Sequence, residues 1–330
     1  MRAVIFDPGV PARRDFPQAG LAFKPDYPDP TPGDGECLVR VRLAGICATD
    51  LQIPQGYASF RGVLGHEMVG TVVSGSASWR DKRVACEINC VCGRCEMCQA
   101  GLANHCTQRT VMGISDRDGC FADLVAVPER NLHEVPEALS DEQAVFIEPL
   151  AAAYQVLAQC SIEKRMTVSV VGSGRLGLLV AQAVATTGCK LTVIGRNPKT
   201  LQLCEKMGIQ GIHVDELIRR SDRDVVVECS GSPDGLDIAM SLVRPRGTIV
   251  LKSTFAEPGR LNLAPIVVNE VTLLGSRCGS FPDAISALAR EAVEVRSMIS
   301  RVYPIENAVE AFEASQQPQN VKVLLKITPH

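Results

Sequence analysis

The chain has 330 residues, 46% hydrophobic and 22% charged, with a formal net charge of -3. On a soft prior of about 150 residues per domain, two domains are expected, each long enough to bury a core. This balance, without any long Lys/Arg run, excludes the electrostatic footprint of a nucleic-acid or acidic-membrane binder, and the pairs Arg13-Arg14 and Arg219-Arg220 read as solvated surface, so the expected partners are small molecules.

The amino terminus lacks the apolar core and cleavage site of a signal peptide, and the longest apolar stretches, around Leu176 to Ala185, fall short of a membrane span. The expected location is therefore cytoplasmic. Residues 1–147 are rich in glycine, proline and short Val/Ile runs, including Leu38–Leu43, Val69–Val73 and Arg83–Ile88. Period-2 runs bounded by turn residues predict a β-rich domain.

Within it, a lobe at 90–106 carries Cys92, Cys95, Cys98 and Cys106 at spacings x2, x2 and x7. Four soft ligands brought together by short turns predict a closed tetrahedral zinc site, with Cys90 a bystander. Four protein ligands leave no position for substrate, so this zinc is structural. The other ten cysteines need no disulfides in a reducing compartment, and most read as small core residues.

From Glu148 the pattern changes to apolar runs alternating with amphipathic segments, the mark of a doubly wound parallel sheet over 148–276 and hence of an α/β fold. A helix is expected from Pro149 onward, and strands at Thr167–Val171, Leu191–Ile194, Val225–Glu228, Thr248–Leu251 and Val271–Leu274. Between the first of these strands and a helix stands Gly172-Ser173-Gly174-Arg175-Leu176-Gly177, placed as a dinucleotide fingerprint must be. At the end of the second strand, Gly195-Arg196-Asn197 offers no carboxylate for a ribose. A glycine leaving room and an arginine offering charge favour NADP over NAD, with NAD as the alternative. Ser230, in the turn Cys229-Ser230-Gly231, is expected near the cofactor ribose, and Lys252-Ser253 near its amide. Residues 277–330 are expected to return to the first domain with a helix at Ile305–Ala314 and a strand at Val321–Ile327.

A second constellation is dispersed over Cys47-Ala48-Thr49-Asp50, Gly65-His66-Glu67 and Glu148-Pro149-Leu150. It contains the thiolate, imidazole and carboxylate of a zinc site with one open position. Glu67 and Glu148 lie among apolar neighbours, where a carboxylate is costly unless a cation or donor meets it.

These motifs together resemble the zinc-dependent medium-chain dehydrogenases/reductases, in the branch of sorbitol, other polyol and threonine dehydrogenases, over essentially the whole chain. The resemblance implies a GroES-like catalytic domain, a Rossmann domain, one catalytic and one structural zinc, and a homodimer or homotetramer. It also implies that Cys47, His66 and either Glu67 or Glu148 hold the catalytic zinc, that Asp50 orients the histidine, and that Thr49 begins a proton relay. Gln52 departs from the histidine of many relatives and cannot titrate. Arg277 falls near where polyol dehydrogenases place an arginine. The implied reaction passes a hydride between a secondary alcohol, polyol or sugar, or the corresponding ketone, and NADP(H). The alternatives are an NAD-dependent threonine-type dehydrogenase and a non-catalytic nucleotide-sensing protein.

Overall fold

The computed structural model describes residues 1–11, 19–254 and 262–327, so the Arg13-Arg14 pair lies outside the described residues. The chain divides into two compact units, Met1–Glu148 with Ile299–His330, and Pro149–Met298.

In the first unit the strands are β1 (Ala3–Phe6), β2 (Leu21–Lys24), β3 (Glu36–Gly45), β4 (Gly62–Val63), β5 (Glu67–Ser74), β6 (Arg83–Cys86), β7 (Asn89–Cys90), β8 (Thr110–Val111), β9 (Leu124–Pro128) and β10 (Leu132–Glu134). Along β3, Cys37, Val39 and Val41 are fully buried while Arg40 and Arg42 are exposed, as a half-buried strand requires. β3 pairs with β5 and, through its first half, with β9.

The second unit holds β11 (Thr167–Val171), β12 (Lys190–Gly195), β13 (Gln210–His213), β14 (Arg223–Glu228), β15 (Val243–Leu251) and β16 (Thr272–Gly275). They form one parallel sheet in the order β13-β12-β11-β14-β15-β16. The order reverses beside β11, the doubly wound arrangement that puts a ligand crevice at the carboxyl ends of the central strands. Val171, Ile194, Val226 and Ile249 pack with Ile238 and Leu242 of the helix Pro233–Leu242 to form its core. Residues 277–298, with the helix Phe281–Ala289, belong to this unit rather than to the first.

The chain then re-enters the first unit with β17 (Ile299–Pro304), the helix Ala308–Gln316 and β18 (Lys322–Lys326). β18 runs antiparallel to β3 and parallel to β17, extending the sheet to the order β10-β6-β5-β3-β18-β17. The helix Ile147–Gln159 begins two residues before Pro149, which the first turn tolerates because its N–H groups lack helical partners anyway.

Candidate active site and metal centres

After Gly45 ends β3, the chain turns through Ile46 into the short helix Ala48–Gln52, and Cys47 caps that helix in an extended conformation. The Cys47 N–H donates to Asp50 Oδ2 at 2.8 Å, and Asp50 Oδ1 lies 3.3 Å from His66 Nδ1, an ion-pair contact without full hydrogen-bond alignment. Asp50 is completely buried and His66 nearly so. One carboxylate therefore ties the backbone before the thiol to the imidazole. Burial works against the imidazolium as the largest single influence, but the charge and contact of Asp50 together with the Cys47 thiol outweigh it and hold His66 well above the ordinary histidine range.

His66 immediately precedes β5, and Glu67 opens it. Glu67 sits directly opposite Gly45 on β3, and a Cβ at Gly45 would lie 2.3 Å from Glu67 Oε2, so the missing side chain is what leaves the carboxylate its place. Ligand atoms of Cys47, His66 and Glu67 lie within 4.8 Å of one another. Thiol, imidazole and carboxylate at that spacing are the donors of an open zinc site, and small movements bring them to bonding distance of one ion. Thr49 Oγ1 is 3.8 Å from Cys47 Sγ. Glu148 is half-buried in the first turn of the helix Ile147–Gln159 and does not join the group of three.

Cys92, Cys95, Cys98 and Cys106 also converge within 4.8 Å. Their sulfurs stand 3.5 Å (Cys95–Cys98), 3.7 Å (Cys95–Cys106) and 3.5 Å (Cys92–Cys106) apart. Sulfurs at the corners of a zinc tetrahedron with bonds of about 2.3 Å are about 3.8 Å apart, so the cage already has the size of the ion. The N–H groups of Cys92 and Gln108 approach Cys106 Sγ at 3.4 and 3.3 Å. The N–H groups of Cys98 and Thr107 pull Cys95 down to about 5, while desolvation and the neighbouring thiols push Cys98 up to about 12. Four crowded thiols cannot all ionise alone; a divalent cation removes the conflict. Beneath the lobe, Asn131 Nδ2 donates to the carbonyls of Glu87 (2.8 Å) and Asn89 (2.9 Å), pinning the chain that leads to Cys90 and Cys92.

In the second unit, β11 is followed directly by Gly172, whose φ of +110° few side chains tolerate. A Cβ on Gly177 would meet Gly172 O at 1.9 Å, so strand and helix touch there, whereas a Cβ on Gly174 would meet nothing within 4 Å. The space over Gly174 is open. Gly174 caps the helix Arg175–Ala185 without a side-chain bond, so the cap residue's side chain satisfies none of the first-turn N–H groups, and Arg175 and Leu176 are half-buried in that turn.

At the end of β12 the structure gives Gly195 a different reason from the one expected: a Cβ there would strike Ser173 Oγ at 2.1 Å, and Ser173 Oγ in turn bonds Thr200 Oγ1 at 2.6 Å. Asn197 caps the helix Pro198–Lys206 by accepting from Lys199 N at 3.0 Å. Arg196 is exposed and pairs with Asp234 at 3.1 Å, over a cavity that Arg219, Asp215 and Asp237 also line. Ser230 Oγ donates to Glu228 Oε1 at 2.5 Å, and Gly231 N–H donates to Ser253 Oγ at 2.8 Å, which fixes the turn after β14. Lys252 is buried, with its ammonium donating to Ala152 O and Arg277 O, each at 2.7 Å, so it braces the backbone.

Two participants carry no sequence motif. Lys322 is buried on β18 and hydrogen-bonds Glu67 Oε2; its only signal is a lysine directly before the apolar run Val323–Leu325. Asp234 meets Arg196 from a helix 38 residues away in sequence, a pairing only the parallel sheet creates.

Residues 33–137 match the family model for the alcohol dehydrogenase GroES-like domain, and residues 176–294 match that for a zinc-binding dehydrogenase. The chain is 30% identical over 323 residues to the sorbitol dehydrogenase of Halalkalibacterium halodurans, covering 91% of this chain and 94% of that one. Among solved structures it resembles an Escherichia coli alcohol dehydrogenase complexed with NADH (26% identity, TM-score 0.88, 99% of each chain). It also resembles a zinc-binding dehydrogenase from Sinorhizobium meliloti bound to NADP (28% identity, TM-score 0.86, 99% of this chain and 100% of that one). The converging cysteines and histidine, the glycine turn on a parallel sheet and these likenesses lead to one statement: the chain belongs to the zinc-dependent medium-chain dehydrogenase/reductase family, among its alcohol and polyol dehydrogenases.

Proposed function

We propose that the protein oxidises a secondary hydroxyl of a polyol or sugar, and reduces the matching ketone, with NADP(H) as the preferred cofactor. The convergence of Cys47, His66 and Glu67 carries this reading, with the polyol-type relative supporting the substrate class. Cys47, His66 and Glu67 would hold the catalytic zinc, which when bound supplies Lewis-acid polarisation of an alcohol or carbonyl oxygen; Cys92, Cys95, Cys98 and Cys106 would hold a structural zinc. Glu148 would serve as an exchangeable or indirect partner. Asp50 fixes the His66 ring, and the Thr49 hydroxyl accepts the substrate proton. Gln52 cannot take it further by titrating, so that proton passes to solvent or to the cofactor ribose. Gly172 to Gly177 would receive the pyrophosphate, Ser230 the adenine-side or nicotinamide-side ribose, and the nicotinamide carries the hydride.

The NADP preference rests on the strand end Gly195-Arg196-Asn197, which has no carboxylate, and on a second guanidinium, Arg219, which lines the same cavity alongside Asp215, Asp234 and Asp237. The Arg196–Asp234 pair is about two-thirds exposed on both sides and holds Arg196 only weakly, leaving it available to a 2′-phosphate. We further infer a homo-oligomer built on the edge of the parallel sheet, where Leu273 of β16 and the nearby Val267 and Val268 are exposed. Fourteen free thiols support a reducing, cytoplasmic setting, and no described helix is long and apolar enough to cross a membrane.

Zinc-loaded protein assayed with NADP and NAD across polyols, sugars, simple secondary alcohols and threonine tests the whole reading. NADP-dependent turnover of a polyol or sugar is expected, with the NADP preference lost in Arg196→Ala. Turnover with NAD alone would discard the reading of Arg196, and one bound zinc per chain instead of two would discard the catalytic assignment.

A further inference from the structure

Glu67 is 1% exposed and Lys322 2%, and they hydrogen-bond each other. Their surroundings offer little else to a charge. The Lys322 ammonium also faces Ile46 O at 3.5 Å and lies 5.7 Å from the centre of the Phe146 ring. Gly45 is the glycine that permits this contact, since a Cβ there would lie 2.3 Å from Glu67 Oε2 and 2.8 Å from Lys322 Cε. β18 brings the lysine to this point, with Ile46 N–H donating to Val323 O at 3.0 Å. A fully buried ammonium is far too costly to be incidental, and here its partner carboxylate is also one of the three converging donors.

We propose that Lys322 is a built-in substitute cation for the metal site: it neutralises Glu67 when no ion is bound and, by competing for the same carboxylate, weakens and makes labile the bond from Glu67 to the ion. The inference rests on the assignment of Cys47, His66 and Glu67 as a metal site. One carboxylate oxygen is committed to Lys322, so Glu67 meets a metal with its other oxygen or by loosening its hold on the lysine. A fixed positive charge this close also repels a divalent ion. Lys322 is thus a positioning residue that sets a compromise: it stabilises the metal-free fold and keeps the affinity for the second zinc below what the three donors alone would give.

The test is zinc affinity, read by competition with a chromophoric chelator, together with the melting temperature of metal-free protein. In Lys322→Met the metal-free protein should melt about 10 °C or more lower, because a buried carboxylate loses the ammonium that pairs with it. Its second zinc should bind about tenfold or more tightly, because the repulsion and the competition are gone. Glu67→Gln should weaken the second zinc. The double variant Glu67→Gln, Lys322→Met, electrically neutral at this point, should melt within a few degrees of the wild type when metal-free and gain less than the wild type from added zinc. If Lys322→Met cannot be isolated, the double variant is compared with Glu67→Gln: a second zinc bound no more tightly in the double variant than in Glu67→Gln would overturn the proposal, because the charge of Lys322 would then have no effect on the ion. So would Lys322→Met binding the second zinc with wild-type affinity while losing stability equally with and without metal, which is the behaviour of an ordinary ion pair. A wild-type protein that binds only the four-cysteine zinc would instead reject the catalytic site itself.

Discussion

Asp50 is the residue whose removal most directly interrogates the active-site geometry. It is fully buried, accepts the Cys47 N–H at 2.8 Å with one oxygen and contacts His66 Nδ1 at 3.3 Å with the other. Asp50→Ala strands a partly buried N–H, at about 1–3 kcal/mol. In a unit of this size that lowers the melting temperature of metal-free protein by about 2–12 °C. It also frees the imidazole to rotate, and losses of this kind reduce metal affinity about 10- to 100-fold, or about 1.4–2.7 kcal/mol. Asp50→Asn separates the two effects. Its carbonyl oxygen can still accept from Cys47 N–H, but its NH2 then faces His66. Its melting temperature should stay near the wild type while its second zinc binds as weakly as in Asp50→Ala. Chelator competition measures the affinity and scanning calorimetry the stability, and excess zinc should restore part of the activity in both variants. Wild-type affinity for the second zinc in both would refute the role given to this carboxylate.

Other perturbations address the remaining sites. Cys106→Ser removes the sulfur that meets both Cys92 and Cys95 and should leave one zinc per chain by metal analysis, with a lower melting temperature. Gly177→Ala would put a methyl 1.9 Å from Gly172 O, so the helix must shift; a cost of about 1–3 kcal/mol and loss of tight cofactor binding by fluorescence titration are expected, and retained binding would contradict the pyrophosphate assignment. Leu273→Lys on the exposed sheet edge should shift sedimentation toward monomer without changing the far-UV dichroism, while an unchanged sedimentation coefficient would move the interface elsewhere.

Local patterns made much of the architecture readable. Val168, Val170 and Val171 followed by Gly172 announce a buried strand and a turn, and the spacing of Cys92, Cys95, Cys98 and Cys106 announces a cage, because both depend on neighbours along the chain. Cys47 and His66 are legible only as a motif, since nothing local brings them together; Asp50 does so through the fold. The buried cost of Glu67 is visible in its sequence neighbours, yet its cation is not, because Lys322 is 255 residues away and arrives by a strand pairing that periodicity does not encode. Gly195 illustrates the opposite error. Its smallness suggests room for a ligand, whereas in the fold that room is taken by Ser173.

The insertion of β18 between β3 and β17 also dictates an order of assembly. Pro149–Met298 is a continuous stretch of chain and holds all its own strands, so it can complete itself during synthesis before the other unit can. The first unit must wait. Until residues 322–326 emerge, β3 is left with an open edge beside Gly45, and Glu67 has no ammonium to meet it. The proposed metal site is therefore closed by the last of the described strands to be made, and a nascent chain stalled before it would present a half-built sheet, with its charge still seeking water.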